Sequence, residues 1–197
     1  MIQLWETIGT LVFCVSGAIA ARQKDMDWFG MFILAFVTGA GGGLLRSLLI
    51  GDVPPLFLKD PTTFLLAALG TVMALVGAEL WNRIHRAVSI IDALGLSLFT
   101  VAGIRVAQAH HLPWWSCVAL GVISATFGGV LRDVLRNEIP LVLRKEIYAT
   151  ACLVGGLALY GLDWLGVPQP WSPAIASAII VTIRLLAIRY AIHESEG

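Results

Sequence analysis

Apolar residues fill this chain in seven blocks of about twenty, each long enough to cross a bilayer as a helix: 2–21, 28–50, 62–81, 88–109, 114–136, 147–165 and 172–192. The polar connections between them are short, at 22–27, 51–61, 82–87, 110–113, 137–146 and 166–171, and leave no room for a soluble domain. The pattern predicts an all-α integral membrane protein of seven transmembrane helices, one membrane domain over residues 1–197. The first block is not expected to be a cleaved signal, because Met1–Glu6 carries no Lys or Arg where a signal needs them.

The blocks repeat. At a constant offset of 86, Trp5–Gly70 aligns with Ile91–Gly156 without a gap, and fifteen of the sixty-six positions are identical. The matched pairs include Gly9/Gly95, Phe13/Phe99, Gly17/Gly103, Pro54/Pro140, Lys59/Lys145 and Gly70/Gly156. Each copy holds three spans, and an odd number forces the second copy into the membrane upside down. The expected architecture is therefore 3+3+1: a first repeat over 2–87, a second, inverted repeat over 88–165, and a seventh helix over 172–192. Gly9, Phe13 and Gly17 lie four apart, as do Gly95, Phe99 and Gly103, so each set shares one helix face and is expected to form a contact seam. Ser16, beside the first set, offers a hydroxyl for a pore lining.

The second and fifth blocks carry the candidate chemistry. Thr38-Gly-Ala-Gly-Gly-Gly-Leu-Leu-Arg46 is answered by Ser124-Ala-Thr-Phe-Gly-Gly-Val-Leu-Arg132. Gly41, Gly42 and Gly43 in one and Gly128 and Gly129 in the other weaken a helix by about 1 kcal/mol each, so both blocks are expected to kink or break. Two interrupted segments in corresponding places of two halves point to a transport site near the midplane, where freed carbonyl oxygens would serve as cation ligands. The alternative is close helix packing, which small residues also permit. Arg46 and Arg132 lie within their spans, where a charge is costly and is usually paired, hydrated or functional. Asp133 stands opposite Ser47 in the alignment and is the only acid beside either glycine cluster. Neighbouring helical side chains diverge, so its partner is expected on another segment. Thr38, Ser124 and Thr126 add hydroxyls nearby. A leucine at Gly42 or Gly129 is expected to abolish flux and leave the folded oligomer intact.

Composition narrows the function. Hydrophobic residues make up 58% of the chain, charged residues 13%, and the mean hydropathy is +0.84, against about 25% charged in soluble domains. Net charge is zero, so no nucleic acid partner is implied. Cys14, Cys117 and Cys152 all fall within apolar blocks and are expected to be buried small hydrophobes. No metal spacing, phosphate cradle or nucleophile paired with a base occurs, so neither an enzyme nor an ATP-driven pump is expected. Arg22, Lys24, Arg83, Arg86, Arg136, Arg144, Lys145 and Arg189 fall on one side if the spans alternate, which predicts an outside amino terminus and a cytoplasmic carboxyl terminus. Lys59-Asp60 and Lys145-Glu146 are expected to be interfacial anchors.

Seven spans as 3+3+1, with Gly-Gly-Gly-x-x-Arg over Gly41–Arg46 and Gly-Gly-x-x-Arg-Asp over Gly128–Asp133, resemble the prokaryotic branch of the TRIC family, the trimeric intracellular cation channels. Such bacterial sequences are also labelled a glycine-transporter domain. The resemblance covers nearly the whole chain. It implies a homotrimer in the inner (plasma) membrane of a prokaryote, with a pore in each subunit and potassium favoured among monovalent cations. It also implies that kinked second and fifth helices line the pore, which falls here on Gly41, Gly42, Gly43, Arg46, Gly128, Gly129 and Arg132. Phe127 departs from the pattern, standing where a glycine would complete a second triplet opposite Gly41. Potassium or another monovalent cation and membrane lipid are the expected partners; no cofactor is expected, bound lipid aside. The leading expectation is a passive cation channel. The alternative is a secondary transporter of a small zwitterion such as glycine, with Arg46 or Arg132 on its carboxylate.

Overall fold

Backbone amides and carbonyls inside a bilayer find no water, so a long apolar stretch satisfies them within itself as an α-helix. The computed structural model describes residues 2–83, 87–144 and 147–193, and every regular element among them is a helix. In chain order these are α1 (Ile2–Arg22), α2 (Trp28–Ile50), α3 (Leu56–Lys59), α4 (Thr62–Val76), α5 (Ala78–Arg83), α6 (Ala87–Ala109), α7 (Trp114–Leu135), α8 (Leu141–Arg144), α9 (Ala149–Trp164) and α10 (Trp171–His193). Five of them, α1, α2, α6, α7 and α10, are long and apolar enough to cross a membrane. Helices α4 and α9 are apolar but have only 15 and 16 residues, about 22–24 Å against a hydrocarbon core of about 30 Å.

Local sequence explains the ends. Asp27 caps α2 by accepting the Gly30 amide at 2.7 Å, and Gly51 ends it in the left-handed region at φ 77°. The expected span 62–81 is not one rod: it divides at Gly77, where the Trp81 indole N–H donates to the Met73 carbonyl at 3.2 Å. Lys59 pairs with Asp52 at 3.0 Å and Asp60 accepts the Thr62 amide at 2.7 Å. Lys59 in turn holds the Asp52 carboxyl below the usual carboxylate range. The matched anchor Lys145-Glu146, and Arg86 of the charge asymmetry, lie outside the described residues.

Helices α1 and α6 pack together at the centre; α2 and α4 flank α1, α7 and α9 flank α6, α2 crosses α7, and α10 covers α6 and α9. The contacts across the centre are reciprocal under the 86-residue offset. The Phe99 ring occupies the space a Cβ at Gly9 would need, 2.9 Å away, and the Phe13 ring does the same at Gly95. The two rings pack against one another, tilted by 37°, with centroids 5.1 Å apart. At the α2–α7 crossing a Cβ on Gly42 would overlap the Ser124 carbonyl, and one on Gly128 would overlap the Thr38 carbonyl. Close approach of two backbones is therefore what Gly42 and Gly128 provide.

This overturns the expected break of the two helices and leaves the kink as the remaining half of that expectation. Both α2 and α7 run without interruption through their glycines, so no freed carbonyl oxygens arise at Gly41–Gly43 or at Gly128 and Gly129. The glycine penalty of about 1 kcal/mol per residue is smaller than the several kcal/mol that each opened backbone group costs away from water. The helix therefore holds.

Candidate functional site

Each half places an acid near the start of its first long helix and an arginine near the end of its second. Asp92 on α6 and Arg132 on α7 are both fully buried. Arg132 donates from Nη1 to Asp92 Oδ1 at 2.5 Å and to Ser16 Oγ at 2.9 Å, and from Nε to Asp133 Oδ1 at 2.8 Å. Asp133 then accepts the Leu141 amide at 3.0 Å on its other oxygen. Asp133 thus pairs with its sequence neighbour as well as with another segment, contrary to the expected divergence.

The other Asp92 oxygen accepts the Tyr148 hydroxyl at 2.6 Å. The Tyr148 ring carries the Arg184 guanidinium on its face, 4.7 Å from the centroid, and Arg184 also donates to the Ile147 carbonyl at 2.5 Å. Arg184, inside the last long helix, is explained by these two contacts. Gly129 leaves room for the cluster: a Cβ there would lie 2.7 Å from the Tyr148 oxygen and 3.5 Å from Asp92 Oδ1.

The first half has a sparser version. Arg46 Nη2 donates to Glu6 in an ion pair, while Nε and Nη1 find no partner among the described residues. Glu6 and Arg46 are forty residues apart, as are Asp92 and Arg132. Both residues line a cleft of about 40 Å³, with Thr10, Gly43, Ser47 and Phe57 among its walls. A volume of that size holds about three waters. Gly43 is the one member of the triplet whose Cβ would meet nothing within 4 Å.

The remaining sequence candidates separate. Gly41 packs on α7, its Cβ position 2.8 Å from Leu131 Cδ1. Thr38 and Thr126 spend their hydroxyls on their own helices, on Leu34 O at 2.6 Å and Val122 O at 2.9 Å. Ser124 is buried with no hydrogen-bond partner among the described residues. Of the predicted set, Gly43 and Arg46 line the cleft, whereas Ser16, Arg132 and Asp133 form the sealed cluster with Gly129 against it.

Sequence reasoning passed over Glu6, Asp92, Tyr148 and the brace at Arg105. That brace is a two-point ion pair, Arg105 to Asp163 at 2.6 and 2.9 Å, which Ser172 joins from α10. A signal existed for two of these residues: Glu6 and Asp92 are acids at matched repeat positions.

One family model, described as a glycine transporter, matches twice, over residues 3–79 and 89–164. The two matches begin 86 residues apart. A prokaryotic TRIC channel crystallised in 0.5 M KCl is 34% identical, superposes with a TM-score of 0.89, and covers 97% of each chain. The chain belongs to the TRIC family. The TRIC orthologue from Rhodobacter sphaeroides is likewise 34% identical with a TM-score of 0.88, over 96% of this chain and 98% of that one. The inner membrane protein YadS of Escherichia coli is 36% identical over 194 residues, 96% of this chain and 93% of its own. The TRIC fold thus spans nearly the whole sequence, as a multi-pass membrane protein.

Proposed function

We propose that this chain is a passive channel for monovalent cations, potassium favoured, in the inner membrane of a prokaryote. The observation that carries the reading is the superposition of nearly the entire chain on TRIC proteins whose structures are described as cation channels. The absence of a phosphate cradle in the sequence accords with downhill movement.

In this reading α1, α2 and α4 form the first three-helix unit (2–87) and α6, α7 and α9 the inverted second (88–165), with α10 (172–192) as the seventh helix. The reciprocal Gly9/Phe99 and Gly95/Phe13 contacts and the double family match support that symmetry. The amino terminus lies outside and the carboxyl terminus in the cytoplasm. Three copies associate, each with its own passage along the α2–α7 crossing. The kink that their glycines allow keeps the helical bonding of α2 and α7. Ser16, Thr38, Ser124 and Thr126 border the route with their hydroxyl oxygens, those of Thr38 and Thr126 with their protons given to their own helices. Gly41, Gly42 and Gly128 bring the two helices together, Gly43 borders the cleft and Gly129 makes room for the buried cluster, and the charged clusters at Arg46 and at Arg132 and Asp133 stand at its two ends. The Arg132 end is sealed and the Arg46 end opens into the cleft.

Reconstitution into planar bilayers tests this directly. Unitary currents that reverse at the potassium equilibrium potential under asymmetric potassium and sodium are expected, and saturable flux without resolvable openings overturns the reading. A second reading, a carrier of a small zwitterion such as glycine, is favoured by the family description and by the two unpartnered nitrogens of Arg46. It predicts saturable glycine uptake into proteoliposomes that Arg46→Ala removes.

A further inference from the structure

The two arginines differ in what they are given. Arg132 faces two carboxylates, Asp92 and Asp133. Arg46 faces one, Glu6, because the position matched to Asp133 is Ser47. Arg46 is only 6% exposed, yet two of its three nitrogens have no partner among the described residues, against one, Nη2, in Arg132. Donors of a buried cation left without acceptors are strongly unfavourable. Ser47, Arg46 and Glu6 all border the same cleft, so the space beside the missing carboxylate is open.

We propose that this cleft binds a small monovalent anion, a halide or a single carboxylate group, on Arg46 in the role that Asp133 fills for Arg132. Three properties select that class. The lining includes the hydroxyl-bearing residues Thr10, Ser47 and Thr63, and its one carboxylate, Glu6, is already engaged by Arg46. Asp52, the other acid within electrostatic reach of Arg46, is exposed and held by Lys59 at 3.0 Å. A volume of about 40 Å³ accepts roughly three water-sized groups, which suits a halide with its last waters or a carboxylate head. The inference goes beyond the channel reading and stands or falls without any flux measurement.

The test is thermal unfolding of the purified oligomer at constant ionic strength, with gluconate exchanged for chloride or formate. A ligand that binds only the folded state raises the midpoint with its concentration. Wild type is expected to shift upward in chloride and in formate. Ser47→Asp, which supplies the carboxylate covalently, is expected to start higher and lose both shifts. Should Ser47→Asp fail to fold, Arg46→Gln is expected to lose the shifts as well. Anomalous diffraction from crystals grown in bromide is expected to place the ion within hydrogen-bonding reach of the Arg46 guanidinium. No shift in wild type, an unchanged shift in Ser47→Asp or Arg46→Gln, or bromide bound only elsewhere overturns the proposal. A shift in chloride but not in formate overturns its carboxylate half.

Discussion

Arg132 and Asp92 meet at 2.5 Å, forty residues apart in the chain, and neither side chain is exposed. Two charges so placed depend on each other, because removing either leaves the other buried without its partner. Asp92→Ala is expected to destabilise the protein by about 3–5 kcal/mol, read as a lower unfolding midpoint in detergent. Asp92→Asn, which keeps a hydrogen-bond acceptor, is expected to cost less. Equal stability of wild type and Asp92→Ala would show that the pair contributes little.

Tyr148 separates two contributions within the same cluster. Tyr148→Phe deletes the hydroxyl on Asp92 but keeps the ring beneath Arg184, with an expected loss of about 1–3 kcal/mol for the buried acceptor left unpaired. Tyr148→Leu also removes the ring and is expected to be less stable still. The difference between the two unfolding midpoints measures the ring's share.

The glycines of α2 are not interchangeable. Gly42→Ala and Gly128→Ala drive a Cβ into a backbone carbonyl across the crossing and are expected to lower the unfolding midpoint sharply. A leucine at either Gly42 or Gly129 therefore attacks the fold itself, rather than blocking flux through an intact oligomer as the sequence suggests. Gly43→Ala meets open space and is expected to be neutral or to stabilise by about 0.5–1 kcal/mol. A helix broken at the triplet would not show that contrast, so thermal denaturation of the three variants distinguishes packing from interruption.

Glu6 is expected to influence cation entry in the channel reading. Glu6→Gln leaves the Arg46 charge uncompensated beside the cleft, so potassium conductance is expected to fall most at low salt. The fall should fade above about 0.5 M, where the Debye length drops to a few ångströms. Single-channel recording across a salt series checks it, and a reduction independent of salt would indicate a change of structure instead.

The repeat and the membrane class are legible in the sequence because they are written in local patterns: block length, the 86-residue offset and paired Gly-Gly-x-x-Arg. The unbroken course of α2 is not, because helix propensity speaks only to the isolated segment. The carbonyls of Thr38 and Ser124, which take up the space the glycines leave, come from the opposite half. Glu6 and Asp92 were visible as matched acids forty residues before matched arginines, yet neither spacing nor hydropathy states that the two helices bring them together. Tyr148 has Thr62 as its counterpart and so carries no repeat signal at all. The division of a span of adequate apolar length falls at Gly77, where the Trp81 indole and the Gly77 amide share the Met73 carbonyl.

The interlock of Phe13 with Gly95 and of Phe99 with Gly9 carries an evolutionary consequence. Each ring is seated in a notch cut into the opposite copy, so the two duplicated halves are bound to change together at these four positions. A bulkier residue in either notch demands a smaller side chain across the seam, and a drift that suits one copy alone loosens both. Such a seam lets the halves diverge freely at their rims, as Ser47 and Asp133 have done, while their shared axis stays fixed.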